Sequence, residues 1–489
     1  MLNNTWLDLV LEVQNIGSFN GLRGDYEKVT QKPQKQEQRK LLLLHDYQKY
    51  KAYTLHKLDQ IEQLKDFPEQ MVEEMRIVAH VLPFKTNNYV VNELIDWGKV
   101  PNDPIFCLNF PQKGMLLPQH FQRMKVELES GSKKTIKQVA DSIRLELNPH
   151  PAGQKSYNVP YLHGEKLLGM QHKYRETVLF LPLGGQTCHA YCTFCFRWAQ
   201  FVGIKDQKLA MKEIDKLIAY IQENPEITDI LFTGGDPMVM NPDLLDGYIR
   251  PIIDANLPNL KTIRIGSKSI AYWPYKYISG SEADQVLGLF ADVVDSGLNL
   301  CYMAHFNHYQ ELQTVALKQA TKNILKTGTQ IRTQSPLLNH INASPEIWAR
   351  MWQEQVDLGM VPYYFFVARD TGAQHYFSVP LVEAWEIYRK AYNRVSGIAR
   401  TVRGPSMSCT PGKVEVLGPL VVNGKKVLTC RFIQGRNPDW VDRVFLAEYD
   451  PKAVWFDDLK PAFGDKFWFS DEYDEYLAPF SSFKHTITD

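Results

Sequence analysis

Cys188, Cys192 and Cys195 fall within eight residues, in the stretch Cys188-His189-Ala190-Tyr191-Cys192-Thr193-Phe194-Cys195-Phe196-Arg197. Three thiolates at this spacing on one tight loop can hold three irons of a cubane [4Fe–4S] cluster and leave the fourth iron open. Ferredoxin-type clusters use four cysteines, and the others here, Cys107, Cys301, Cys409 and Cys430, lie far off in sequence. A zinc site fits less well, because structural zinc takes four ligands, usually in paired short spacings. His189, beside Cys188, is poorly placed to close on the same ion. Inert buried thiols are the remaining alternative.

A loop of this kind needs a scaffold. From Leu41 to about Ile143 helical patterns with punctuation suggest an N-terminal helical region. Asn148-Pro149-His150-Pro151-Ala152-Gly153 then marks a break. Beyond it, apolar runs at 178–183, 229–233, 262–266, 299–304, 330–334 and 363–368 alternate with helix-length segments. Met211, Ile214, Leu217, Ile218 and Ile221 form one apolar helix face, and Val286, Leu287, Phe290, Val293 and Val294 another. Alternation of this kind predicts a parallel sheet, here an open (β/α)6 barrel whose chemistry gathers at the strand C-termini. The predicted domains are an N-terminal helical region at 1–160, a core at 161–400 and a C-terminal region at 401–489. A polar segment near 25–40 is expected to be solvated and mobile.

Polar residues recur at the expected mouth. The cysteine loop follows the first strand. The second ends in Thr233-Gly234-Gly235-Asp236-Pro237, where paired glycines let backbone approach a ligand closely. The third ends in Arg264-Ile265-Gly266-Ser267-Lys268, the fourth in His305-Phe306-Asn307-His308, and the fifth carries Thr333-Gln334-Ser335. Lys413, in Cys409-Thr410-Pro411-Gly412-Lys413-Val414, reads by itself as a surface lysine on a tight turn.

The chain has 489 residues, 44% hydrophobic and 22% charged, and a formal net charge of zero. That balance predicts no general attraction to nucleic acid or anionic membranes. No apolar run reaches the length of a membrane span, and the first residues lack the pattern of a secretory leader. Seven cysteines, three of them clustered, argue against a disulfide framework. A cytoplasmic location is therefore expected.

The loop resembles the radical S-adenosylmethionine (SAM) signature, since reductive cleavage of SAM requires an open iron. More broadly, His172-Lys173-Tyr174, the cysteine loop with Phe196-Arg197, Leu231-Phe232-Thr233-Gly234-Gly235-Asp236-Pro237, Arg264-Ile265-Gly266-Ser267, His305-Phe306-Asn307-His308, Gln334-Ser335 and Pro411-Gly412-Lys413 resemble the lysine 2,3-aminomutase family. The resemblance covers roughly 168–416. It implies a radical SAM partial (β/α)6 barrel carrying a [4Fe–4S] cluster on Cys188, Cys192 and Cys195. It also implies SAM bound near Gly234, Gly235, Asp236, Ser267, His305 and Gln334. Pyridoxal 5′-phosphate (PLP) would be joined to Lys413, with Lys173 on its phosphate and Arg197 clamping the substrate α-carboxylate. The implied reaction moves an amino group from C2 to C3 of an amino acid through a 5′-deoxyadenosyl radical. A one-electron reductant of flavodoxin or ferredoxin type would serve it.

Three departures from the family pattern bear on the substrate and assembly. Lysine-using members hold the distal ammonium with two aspartates. One belongs near Val367-Ala368-Arg369-Asp370-Thr371-Gly372, where either Arg369 or Asp370 matches. The other should precede the PLP lysine, yet Arg403-Gly404-Pro405-Ser406-Met407-Ser408-Cys409 holds no acid. Lysine is therefore not the expected substrate, because an uncompensated buried charge is costly. Third, only Cys430 follows Lys413, so no structural zinc is expected. A homodimer would need other contacts, for which the aromatic tail (Trp455-Phe456, Phe467-Trp468-Phe469) is a candidate unless it docks on the chain's own core. Two alternatives remain beside the aminomutase: a radical SAM enzyme of this fold acting on a protein lysine or without PLP, and a non-catalytic iron–sulfur protein.

Overall fold

A computed structural model describes residues 49–148, 157–203 and 209–478. The polar segment at 25–40 and most of the 148–153 break lie outside the described residues. Contacts divide the chain into Met1–Lys49 and Tyr50–Asp489, and every element named below belongs to the second unit. No described helix is long and apolar enough to cross a membrane.

The N-terminal part of this unit contains the helices α1 (Glu69–Ala79), α2 (Pro104–Asn109), α3 (Pro118–Ser130) and α4 (Lys133–Glu146), with a two-stranded antiparallel sheet of Ala52–Thr54 and Lys85–Asn87. Proline at the first position starts both α2 and α3, where its missing N–H costs nothing.

One eleven-stranded sheet follows. Its strands are β1 (Met170–Tyr174), β2 (Thr177–Phe180), β3 (Asp229–Phe232), β4 (Thr262–Ser267), β5 (Asn299–His305), β6 (Gln330–Leu337), β7 (Val361–Val367), β8 (Arg403–Ser408), β9 (Gly412–Val422), β10 (Lys425–Gly435) and β11 (Val444–Glu448). They lie in sequence order. Strands β2 to β8 are parallel, β1 is antiparallel at one edge, and β9 to β11 form an antiparallel meander at the other. The crossovers carry α5 (Ile214–Glu223), α6 (Pro242–Asp254), α7 (Ser281–Asp295), α8 (Val315–Lys326), α9 (Pro345–Asp357) and α10 (Leu381–Tyr392). In β4, Ile263 and Ile265 are fully buried while the alternating Thr262, Arg264 and Gly266 are only partly so. One face of the strand packs under the helices and the other lines a more open lumen.

The sheet is an open, partial barrel. Lys173 on β1 donates to the carbonyls of Cys409 and, at 3.4 Å, Gly412. Those carbonyls flank the turn into β9, so the curl brings distant strands together across the lumen. All six expected strands are present. The first ends at Phe180 rather than 183, because Pro182 leads into a helical turn at Leu183–Gly185. A seventh parallel strand, β8, was not expected, since Gly404-Pro405 inside it reads as a breaker. Gly404 N–H instead donates to Glu415 Oε1 at 2.9 Å.

Candidate active site

The cysteine loop leaves β2 and is held from outside itself. Tyr191 N–H donates to the Lys85 carbonyl at 2.7 Å, and Thr193 donates through its N–H to Leu108 and through Oγ1 to Cys107. Asn87 Nδ2 reaches the carbonyls of His189 (3.2 Å) and Tyr272 (2.9 Å), and Tyr50 Oη also donates to His189. Tyr50, the Lys85–Asn87 strand and α2 thus act as a clamp on the loop.

All three loop cysteines are free and part-exposed. Burial pushes their thiols up, Cys192 to about 12, Cys195 to about 11 and Cys188 well above its ordinary value. Among the described residues no three His, Cys, Asp or Glu side chains gather as a site for one ion. A cubane does not require that, because each thiolate holds its own iron. Three part-exposed thiols on one loop can each take one iron of a cubane.

Gly234 and Gly235 lie directly against this loop. Gly234 has φ +137, and a Cβ there would meet Gln186 Nε2 at 2.5 Å; one on Gly235 would meet the Thr187 carbonyl at 2.5 Å. Asp236 N–H donates to the carbonyls of Gly185 (3.0 Å) and Thr187 (2.8 Å). The glycines thus permit close approach of backbone to the residues leading into Cys188. The Asp236 carboxylate accepts from the N–H of Met238 (2.9 Å) and of Lys268 (3.0 Å), tying the ends of β3 and β4 together. The Ser267 hydroxyl is engaged within the protein, accepting from Tyr302 Oη at 2.9 Å and Ser269 N–H at 2.9 Å. His305 stacks on Phe194 of the loop at 5.8 Å, its Nδ1 buried without a partner, and burial lowers its pKa to about 3. Gln334 is its register neighbour on β6.

Arg197 is 7% exposed, and its Nη1 is buried with no hydrogen-bond partner. Burial, with Arg369 nearby, lowers its pKa to about 10. A buried guanidinium nitrogen in this state could donate to an anionic oxygen. Arg197 and Arg369 lie 5.2 and 5.4 Å from the same Phe196 ring. Arg369 and Asp370 also sit 3.7 Å apart in one cleft, with Asn148, Thr371, Cys409, Thr410, Trp455 and Asp457. Both candidates for the distal position therefore face the same cleft.

Lys413 is the second residue of β9, on a strand rather than a turn. Its Nζ lies 4.1 Å from the Tyr364 ring and 5.7 Å from the rings of Tyr174 and Phe366, and it donates to Gln434 Oε1 at 2.9 Å. Burial, then Arg264, Arg403 and Lys173, hold its pKa well below the ordinary value. A lysine with a depressed pKa among aromatic rings is suited to imine formation, and the surrounding cations suit an anionic cofactor such as PLP. Lys173, its pKa lowered by burial to about 7, grips the turn that carries Lys413. The enclosing rings of Tyr364 and Phe366 and the partner Gln434 were not identified from the sequence, because each comes from another strand. Tyr174 alone had a signal, as part of the His-Lys-Tyr stretch.

A protein of Aquifex aeolicus described provisionally as an L-lysine 2,3-aminomutase is 30% identical over 395 residues, covering 81% of this chain and 92% of the relative. The chain belongs to the radical SAM lysine 2,3-aminomutase family. The L-lysine 2,3-aminomutase of Bacillus subtilis is 25% identical over 348 residues, 71% of this chain and 64% of that one. No family model matches the sequence. Among solved structures, Streptococcus suis SuiB bound to S-adenosylmethionine aligns at 10% identity over 55% of this chain and 56% of its own, with a TM-score of 0.31. Membership in this aminomutase family implies SAM and a [4Fe–4S] cluster.

Proposed function

We propose that this chain is a radical SAM, PLP-dependent 2,3-aminomutase that converts an α-amino acid into its β-isomer. The observation that carries this reading is Lys413. Its amine lies inside the barrel lumen among Tyr174, Tyr364 and Phe366, rather than on the outer surface. PLP, when bound, would stabilise an unpaired electron next to the migrating nitrogen. The chain's own residues supply orientation and exclusion of water. Cys188, Cys192 and Cys195 would hold the cluster. Arg197 would grip the α-carboxylate beside it, and Lys173 would fix the turn beneath Lys413.

The substrate's side chain carries no distal ammonium on this reading. The strand leading to Lys413 has no acid, and Asp370 is already within ion-pair range of Arg369. Arg369 and Arg436 both lie close enough to Lys173 to lower its pKa. With three cations there against the two cleft carboxylates, Asp370 and Asp457, an acidic or neutral side chain is accommodated at lower cost than a further cation. To test the reading, protein incubated with PLP is reduced with borohydride, digested and mapped by peptide mass. The expected result is a pyridoxyl group on Lys413, with the visible PLP band lost in Lys413→Ala. Label on other lysines alone, with the band intact in Lys413→Ala, would favour the PLP-independent alternative.

A further inference from the structure

The middle thiol of the loop has a hydrogen-bond donor supplied from elsewhere in the chain. Tyr272 Oη lies 3.7 Å from Cys192 Sγ, within range for sulfur, and Tyr272 is 1% exposed. Asn109, also 1% exposed, sits at the end of α2. Its Nδ2 donates to the same phenol oxygen at 3.2 Å and to the Ile105 carbonyl at 3.1 Å. A carbonyl can only accept, so Ile105 fixes which side of the Asn109 amide faces the phenol. The phenol oxygen thus receives one hydrogen bond and keeps its own proton to give. A phenol is protonated at neutral pH, so that proton stays on. An iron-bound thiolate has no proton and can only accept.

We infer that Tyr272 donates a hydrogen bond to the Cys192 thiolate and thereby raises the reduction potential of the cluster, with Asn109 as its positioning residue. Reduction adds negative charge that spreads onto the cysteine sulfurs, and a donor aimed at one of them stabilises the reduced form. Because Asn109 belongs to α2, the N-terminal region tunes the cluster as well as clamping its loop. The inference rests on the cluster reading alone and requires neither PLP nor an amino-acid substrate.

The test is a redox titration followed by electron paramagnetic resonance. It uses anaerobically reconstituted full-length protein, without SAM or substrate, for the wild type, Tyr272→Phe, Asn109→Ala and Tyr275→Phe. Tyr275, 3% exposed, hydrogen-bonds the exposed Glu93 instead, so its variant controls for loss of a hydrogen-bonded tyrosine hydroxyl away from the loop. Expected is a shift to more negative potential in Tyr272→Phe, a smaller shift of the same sign in Asn109→Ala, and none in Tyr275→Phe. Unchanged potentials at full iron content would overturn the inference. So would failure of Tyr272→Phe to load iron while its melting temperature matches that of Tyr275→Phe, which would make Tyr272 a structural support of the loop. Absence of aminomutase activity with the shifts intact would count against the proposed function and leave this inference standing.

Discussion

At the scale of single residues, Arg197 and Lys413 are the two ends of the proposed site. Arg197 keeps a buried nitrogen with no partner, a costly arrangement that an anionic oxygen on a ligand would relieve. Lysine at this position retains the charge and loses the two-pronged geometry. Arg197→Lys is expected to lower kcat/KM by about 10- to 100-fold, the equivalent of about 1.5–3 kcal/mol for a charge-assisted pair, with iron content unchanged. Steady-state kinetics beside an iron assay checks this, and a wild-type kcat/KM would remove the clamp role. The position of Arg197, two residues past the last cysteine, made it legible in the sequence. Its orphaned nitrogen was not, because that depends on what fails to approach from other elements. The same holds for Lys413, whose meaning comes from rings on β1 and β7.

At the scale of elements, the strand ends do the positioning. His308 follows β5 and caps the next helical turn, its Nδ1 accepting from Gln310 N–H at 3.2 Å. That cap needs a neutral ring, and burial, with Arg350 and Lys99 nearby, lowers the pKa to about 4. The unfolded chain therefore takes up a proton first as pH falls, so His308 stability is full above about 6.5 and lost progressively down to about 4. Asparagine can cap without titrating. His308→Asn is expected to flatten this part of the stability–pH curve, read by denaturant melts at successive pH values; equal curves for both proteins would contradict it. Six strands were legible because apolar runs alternate with amphipathic helices. β8 to β11 were not, since Gly404-Pro405 masks β8 and the meander has no crossover helices to punctuate it. The glycines after β3 were recognised, but their contact with Gln186 and Thr187 required the fold.

At the scale of the whole molecule, one curled sheet brings together four stretches of chain. The N-terminal region, through α2 and the Lys85–Asn87 strand, holds the cysteine loop, β1 grips the turn before Lys413, and β7 covers the amine. Arg436, at the end of β10, joins Thr410 to Tyr157 and Asn158. The aromatic tail docks on the chain's own core: Phe469 is 2% exposed and packs on Phe432, Trp440 and Phe445. The clamp over the loop could not be read from sequence, because a region of helical periodicity does not declare which loop it covers. The central claim is that these parts form one site for moving an amino group. The most direct measurement is anaerobic incubation of reconstituted protein with SAM, dithionite, PLP and a panel of amino acids, read by mass spectrometry. The account predicts a β-isomer from an amino acid without a distal ammonium, formed only with Lys413 and the three loop cysteines intact. SAM cleavage by a fully loaded protein with no β-amino acid from any member of the panel would contradict it, as would lysine as the sole amino acid converted.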